Sequence, residues 1–351
     1  MDTQATMDTE PTNDQEPTDT PDEIPFEFRG TGMEFFKIWI VNLFLSIITL
    51  GIYSAWAKVR TNKYFYNHFY LDGHNFDYHA NPFNILIGRI IAVGVFLILT
   101  GVSQVYLVWG GAIFSLVILI SLPWIVVASL SFRNRNSSYK GIRFNFRGSY
   151  GGAFLYVGVL PILGVLTLGI LMPLALRYTR QYVVSNSSYG TSAFEFDVSI
   201  GDYYIAFLKV LGLGILLGFG AAALAMLTTI APALGIVGAV AVIGVYLFIF
   251  AFYIATIENL QWNGTSLGDN YFDSDLQTKE LMILFFTNSL LLIITLGLAL
   301  PVVKVRLAAY RASRLQLIAT ESLDNFIADE QEHVNAAGQE VGEIFDFDLG
   351  F

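Results

Sequence analysis

Long apolar runs separated by short charged stretches dominate this chain, and each run is continuously apolar rather than alternating residue by residue. A run of about 20 apolar residues suits a helix across a bilayer, whereas barrel strands alternate over segments of about ten. The pattern therefore predicts an all-α polytopic membrane protein. Seven segments approach the required length, at 35–57, 83–107, 109–131, 151–176, 203–229, 232–257 and 280–303.

Three of these runs end in Thr-Leu-Gly and continue into a basic segment with a tyrosine at a fixed distance from the threonine. This recurrence, at 46–64, 164–182 and 292–310, predicts a fold with three repeat modules. Glycine is favoured just past a helix C-terminus, so we expect each helix to break there instead of continuing as a kinked helix. The predicted break points are Gly51, Gly169 and Gly297.

The segments after the breaks are amphipathic and suit the headgroup plane beside anionic lipid. Their candidate interfacial basic residues are Lys58, Arg60, Lys63, Arg177, Arg180, Lys304 and Arg306. Whether 35–57, 151–176 and 280–303 cross the membrane or dip in and return stays open. Crossing needs less shielding by other helices and would invert successive modules, whereas re-entry would place the basic residues on one side.

A second recurrent element lies in the loops, where a tyrosine and a glycine precede two aromatic residues that alternate along the chain. Alternation after a glycine predicts short aromatic β-hairpin-like loops, too short to stand alone in water and suited to the membrane interface. The copies are Tyr70, Gly73, Phe76 and Tyr78; Tyr139, Gly141, Phe144 and Phe146; Tyr189, Gly190, Phe194 and Phe196; a half copy at Phe26 and Phe28; and a degenerate copy with Phe272 at 259–275.

Composition supports the membrane class, because 54% of the residues are hydrophobic and only 14% are charged. The net charge of −10 arises mostly at the two ends. We expect a disordered acidic tail at 1–25, a transmembrane domain at 26–320 and an acidic solubilising tail at 321–351. The chain has no cysteine, which excludes disulfides and thiolate chemistry.

Polar residues inside the apolar runs are the candidate intramembrane sites, because each must be paired or hydrated. Asn42 and Asn288 occupy equivalent positions, seven residues before their threonines, and predict a shared interhelical hydrogen bond or, less simply, a substrate ligand. The spacing of His68, His74 and His79 matches no compact metal motif. We expect no metal, no cofactor and no catalytic residues, and nucleic acid is not an expected partner.

The stretch FEFRGTGMEFFKIWIVNLFLSIITLGIYSAWAKVRTNKYFYNHFYLDGHNFDYH at 26–79 resembles the YjgN-like bacterial inner-membrane proteins, a family of unknown function. The resemblance extends over about 26–320. It implies a multi-pass protein of the bacterial cytoplasmic membrane and carries over no catalytic residue.

Two functions fit these observations, and neither is enzymatic. A transporter or channel for an unidentified solute is favoured by the repeats and the matched asparagines. The alternative is a non-transporting protein that organises membrane lipids, with anionic lipid as the candidate, or partner proteins through its basic interfacial helices. Substrate, coupling ion, partners and oligomeric state do not follow from the sequence.

Overall fold

The computed structural model describes residues 21–106, 109–231, 235–320 and 322–346. They form five successive units, each a strand, a helical hairpin and a second strand. The strands are β1 Asp22–Phe28, β2 Phe69–Leu71, β3 His74–Tyr78, β4 Ser137–Tyr139, β5 Ile142–Phe146, β6 Ser187–Tyr189, β7 Ser192–Phe196, β8 Thr265–Leu267, β9 Asn270–Ser274 and β10 Leu315–Ala319. The helices are α1 Gly32–Ile48, α2 Ser54–Asn67, α3 Pro82–Val105, α4 Gly110–Arg135, α5 Tyr150–Ala153, a π-helix Phe154–Val159, α6 Leu160–Leu166, α7 Met172–Ser185, α8 Ile200–Ile230, α9 Gly235–Asn263, α10 Thr278–Ile294, α11 Leu300–Ala312 and α12 Leu323–Asp346.

The ten strands pair antiparallel with their chain neighbours and close into a barrel, because β1 also pairs with β10. In that closing pair, Asp22 lies opposite Ala319. The prediction of an all-α protein is therefore wrong. The sequence indicates each hairpin locally, but a three-residue strand leaves an unpaired edge that only the neighbouring hairpin can satisfy. Closure removes every edge, and this pairing is not visible in any one hairpin's sequence.

Two of the tight turns at one end of the barrel owe their shape to residues with positive φ. Asp72 and Gly73 have φ of 48° and 69°, and Lys140 and Gly141 have φ of 43° and 85°. Two successive positive φ angles match the right-handed twist of the flanking strands. We call this end, which carries the turns after β2, β4, β6 and β8, the turn end.

All five helical hairpins leave and return at the opposite end of the barrel, which we call the helix end. Four helices are long and apolar enough to cross a membrane, and they form the two long hairpins, α3 with α4 and α8 with α9. At most 17% of each candidate span is buried within the protein, so apolar side chains cover their outer surfaces. The four spans are Pro82–Val105, Gly110–Arg135, Ile200–Leu227 and Gly238–Asn263.

The other three hairpins are shorter than the two long ones. Helix α1 has 17 residues, or roughly 25 Å at 1.5 Å per residue, which is below the ~30 Å hydrocarbon thickness. Helix α2 then packs back along α1 toward the barrel. The same arrangement recurs in the hairpin from α5 to α7 and in α10 with α11. Each short hairpin thus begins and ends at paired strands at the helix end of the barrel.

The Thr-Leu-Gly steps form the tips of the short hairpins. Thr49 ends α1, the N–H of Leu50 donates to Ile47 O at 3.1 Å, and that of Gly51 donates to Ser46 O at 2.7 Å. This pair of bonds is a Schellman motif, which normally places glycine at the left-handed position. Here Leu50 takes that position with φ of 48°, and its side chain is 93% exposed. Each tip thus exposes a leucine at its surface, as Leu168 and Leu296 do in the other two copies.

The recurrent tyrosines close the bases of the same hairpins. Tyr64 donates its hydroxyl to the carbonyl of Thr31, the N-cap residue of α1, at 2.9 Å. Tyr182 donates to Ser149 O at 2.6 Å, and Tyr310 donates to Gln277 O at 3.3 Å. The fixed spacing from threonine to tyrosine therefore corresponds to the height of one hairpin.

Both predicted tails need correction where the structure describes them. Strand β1 starts at Asp22, so 22–25 belong to the barrel, while 1–20 lie outside the described residues. Residues 323–346 form helix α12, which packs across the turn end through Leu323 and Ile327. The acidic composition concealed an amphipathic pattern, because its few apolar residues recur on one helical face.

Candidate functional site

The barrel contains an apolar cavity of about 510 Å³ that is partly open to its surroundings. This volume lies within the ~300–1,000 Å³ range of small-molecule sites. Strand alternation explains the lining, because every second side chain points inward and these positions are aromatic or aliphatic. The inward positions that line it are Phe26, Phe28, Phe69, Leu71, Phe76, Tyr139, Phe144, Tyr189, Phe194, Leu267, Phe272, Leu315 and Leu317.

Five phenylalanines, one from each odd-numbered strand, form a closed girdle inside the cavity: Phe26, Phe76, Phe144, Phe194 and Phe272. Neighbouring ring centroids are 6.3–6.4 Å apart all the way round. The planes of neighbouring rings differ by only 14–36°. Because rings that stood parallel to the barrel axis would turn much further from one neighbour to the next, the five rings must lie roughly perpendicular to that axis.

The girdle leaves a narrow central aperture. In a regular pentagon with sides of 6.3–6.4 Å, each centroid lies roughly 5.4 Å from the axis. Carbon atoms pack at about 3.5–4.0 Å, and the inner ring edges reach closer to the axis than the centroids do. The aperture therefore suits a single file of methylene groups and is too narrow for two chains side by side.

Helix α12 covers the cavity at the turn end. Leu323, Phe326 and Ile327 line the cavity there, and the Phe326 ring stacks on Tyr189 with centroids 6.5 Å apart. Lys140 pairs with Asp324 at 2.7 Å and with Asp72 at 3.0 Å, which joins α12 to two of the turns.

A buried carboxylate fixes α12 to the turn between β6 and β7. Glu330 is 3% exposed and accepts hydrogen bonds from the backbone and hydroxyl groups of Thr191 and Ser192. Burial by itself raises the pKa of Glu330, but the four donors outweigh it and hold that pKa below the ordinary value of 4.5. The carboxylate is therefore charged at neutral pH and acts as an anchor.

Polar and cationic groups enter the lining at the helix end. They come from the last turn of α4 and the first residues of the strands, namely Arg133, Asn134, Ser137 and Ser187. Asn134 Nδ2 donates to Asn145 O at 3.1 Å and to Ser187 Oγ at 3.2 Å, which fixes α4 against the barrel. Trp262 and Ala308 complete this rim.

The predicted intramembrane asparagines lie inside the short hairpins and away from the cavity. Asn42 Oδ1 accepts from Arg60 Nη1 at 3.3 Å, and Asn288 Oδ1 accepts from Arg306 Nη1 at 2.7 Å. Each asparagine thus bonds the arginine of its own hairpin, which differs from the shared bond that we expected. Helices α1 and α11 do pack together, so the two pairs lie on neighbouring hairpins.

The remaining predicted residues do not converge on one site. Lys58, Lys63, Arg180 and Lys304 are exposed, and Arg177 donates from Nε to Val198 O at 3.0 Å. The histidines contact three different groups, Tyr64 O, Asp72 O and Ser138 Oγ. Among the described residues, no three potential metal ligands come together.

All five girdle phenylalanines belong to the aromatic hairpins predicted from the sequence, but the sequence did not indicate that they form one cluster. It missed Arg133 as a cavity residue and Glu330 as an anchor. A signal for Glu330 did exist, since it lies three residues after Ile327 and four before Val334 and so falls on the apolar face of a helix, unlike its acidic neighbours Asp329 and Glu332. No local pattern marks Arg133, because its position depends on how α4 meets the barrel.

These features define a class: a membrane protein in which lipid-facing helical hairpins stand on a closed aromatic barrel. Residues 23–344 match the model of the family described as "Bacterial protein of unknown function (DUF898)", and the chain belongs to that family.

Curated relatives agree with this assignment. The chain is 27% identical over 192 residues to the "Inner membrane protein YjgN" of Salmonella typhimurium, which covers 54% of this chain and 45% of the relative. It is 32% identical over 146 residues to the protein of that name from Escherichia coli K12, which covers 41% and 36%. The chain thus matches less than half the length of these relatives. No solved structure matches it.

Proposed function

We propose that this integral membrane protein binds the hydrocarbon chain of a membrane amphiphile inside its barrel. The observation that carries the proposal is the apolar cavity of about 510 Å³ inside the barrel, with its girdle of five phenylalanines. Burial of a hydrocarbon chain there is favoured by about 25 cal/mol for each Å² of apolar surface removed from water. A polar solute would find few partners on the same walls.

Access from the membrane side supports this function. The helix end of the barrel is ringed by the ends of helices whose outer surfaces are apolar, whereas α12 covers the turn end. An amphiphile could thus enter from the bilayer with its chain foremost. We place the protein in the bacterial inner membrane as a multi-pass protein with four crossing helices, and we regard its three short hairpins as repeats of one unit.

The barrel restricts the kind of solute that a transporter of this fold could pass. A path along the barrel axis would have to pass the phenylalanine girdle and displace α12, so it would suit hydrocarbon better than a hydrated solute. Binding of a membrane amphiphile is therefore the function that the geometry supports best. It acts through the barrel and not through the basic interfacial helices on which our alternative of a lipid-organising protein rested.

Trp262 provides a direct test, because it lines the cavity and lies 5.3 Å from the Phe272 ring. The test uses a variant that keeps only Trp262, with Trp39, Trp56, Trp109 and Trp124 replaced by phenylalanine. A brominated single-chain amphiphile, added in excess non-ionic detergent, should quench the fluorescence of Trp262 in a saturable manner. A matched variant that keeps only Trp124, which is 63% exposed on α4, should show quenching proportional to the mole fraction of brominated chains.

A blocking substitution completes the design. Ala308→Phe narrows the rim of the cavity and should remove the saturable quenching, whereas Val93→Phe, at a 56% exposed position on α3, should leave it unchanged. Proportional quenching at Trp262 in both backgrounds would refute binding inside the barrel.

A further inference from the structure

We propose that the cavity ligand is anionic, with its carboxylate or phosphate on Arg133 and its hydrocarbon chain directed through the phenylalanine girdle toward α12. This inference rests on the proposed function and specifies the class of ligand. It assigns Arg133, which no sequence pattern marked, as the headgroup-binding residue of the site.

Arg133 forms no ion pair in the described structure, unlike Arg311 and Arg314 near the same end of the barrel. It lies in the last turn of α4 at the mouth of the cavity, is exposed, and has no ion pair or side-chain hydrogen bond within the described part of the chain. By contrast, Arg314 bonds Glu280 at 2.5 Å, and Arg311 is paired with Glu258. A guanidinium has five donors in a fork that matches a carboxylate or a phosphate, and here those donors remain available to a ligand.

The neighbouring polar groups cannot replace it. The amide nitrogen of Asn134 already donates to Asn145 O and Ser187 Oγ, and the hydroxyl of Ser137 donates to the carbonyls of Arg133 and Asn134 at 3.1 and 3.0 Å. These groups hold the rim in shape. Recognition of a negative charge therefore falls to the guanidinium.

The position of Arg133 sets the direction of the ligand. Among the described residues, the cavity lining contains no carboxylate, and Arg133 at the helix end is its one cation. A separate depression at the turn end is acidic, whereas Glu258 and Glu280 near the helix end are paired with Arg311 and Arg314. A negative headgroup bound to Arg133 leaves the chain of the ligand to point through the girdle toward α12.

The test compares two probes of equal chain length in the variant that keeps only Trp262. Dibromostearate carries a carboxylate, and dibromostearyl alcohol does not. We expect the protein to bind dibromostearate more tightly than the alcohol. Arg133→Gln should lower the affinity for dibromostearate by about tenfold or more and leave the affinity for the alcohol unchanged. Arg133→Lys should restore part of the difference. Arg135→Gln is the matched control, since Arg135 lies two residues away and is exposed like Arg133 but does not line the cavity.

Each outcome separates the two proposals. Equal affinity for acid and alcohol, or equal losses from Arg133→Gln and Arg135→Gln, would overturn the assignment of Arg133 and leave hydrocarbon binding intact. Absence of saturable quenching by either probe would overturn hydrocarbon binding itself, and this inference with it. A third probe, phosphatidylglycerol with brominated chains, identifies the source: quenching that depends on Arg133 supports a membrane phospholipid, and quenching by the acid alone supports a free fatty acid.

Discussion

The two ends of the barrel are built by different chemistry. At the turn end, α12 closes the cavity with three apolar side chains and a buried carboxylate that accepts four hydrogen bonds. At the helix end, the rim consists of helix termini held by side-chain amides, and an unpaired arginine faces the cavity. The two ends of one barrel are therefore closed by different kinds of contact, and the proposed entry of an amphiphile requires only the helix end to open.

The largest effect is expected where the seal is anchored. Glu330→Ala leaves the N–H groups of Thr191 and Ser192 without their acceptor, which should weaken the docking of α12 by about 3 kcal/mol. Hydrogen exchange over 323–335 should then accelerate strongly, while the helix end stays protected. Glu332→Ala, at an exposed position on the same helix, is the control. Unchanged exchange in Glu330→Ala would mean that the apolar contacts alone hold the seal.

A smaller effect is expected at the helix end. Asn259 accepts from Leu276 N at 2.8 Å and from Ser274 Oγ at 2.9 Å, and its Nδ2 donates to Leu276 O at 3.1 Å. Asn259→Leu should therefore destabilise the connection from β9 to α10 by about 2 kcal/mol. Thermal unfolding and exchange over 275–281 measure this loss. Asn145→Leu, at a side chain without a hydrogen bond in the described structure, should have little effect, and equal losses in both would argue against a specific role for Asn259.

Lowering the pH should loosen α12 at the turn end of the barrel, because protonation of Glu330 weakens its docking. The pKa of Glu330 is lowered in the docked state, so its contribution is complete above the ordinary value of 4.5 and is lost as the pH falls through the lowered pKa. We expect α12 to stay docked near neutral pH and to loosen below about pH 4.5, by less than in Glu330→Ala because a protonated carboxyl still forms hydrogen bonds. Exchange of 323–335 as a function of pH tests this, with Glu330→Gln as the variant that should lack the transition.

The smallest effect is expected from the surface ion pairs of the seal. Burial lowers the pKa of Lys140, but Asp324 and Asp72 outweigh it and raise that pKa, so the ammonium is charged at neutral pH. Because Asp324 is 78% exposed, Lys140→Met should cost no more than about 1 kcal/mol of α12 docking. High salt should bring the parent protein close to the variant. A loss that persists at high salt would instead indicate packing by the lysine stem.

Local sequence patterns determined many of the elements and few of their relations. The Thr-Leu-Gly steps mark where α1, α6 and α10 end, because a helix stop is decided by a few consecutive backbone conformations. Alternating aromatics mark the β-hairpins for the same reason. These patterns did not determine how the hairpins relate to one another: the aromatic loops that we expected at the membrane interface close into a barrel.

The candidate site shows the same division. Phe26, Phe76, Phe144, Phe194 and Phe272 are recognisable along the chain as members of a recurring pattern, but only the closed barrel brings their rings within 6.4 Å of one another. Asn42 and Asn288 were found as matched polar positions, and their partners Arg60 and Arg306 were found separately as basic residues. Their pairing across a hairpin had to come from the structure.

The sequence by itself determined that this is a membrane protein, that three of its helices end at the Thr-Leu-Gly steps, and to which family it belongs. Composition and short-range patterns are sufficient for each of these conclusions. Only the tertiary structure decided that ten strands close into one barrel, that α12 seals one end and that Arg133 faces the cavity at the other. Those features depend on contacts between residues far apart in the chain, and such contacts leave no pattern in any single segment.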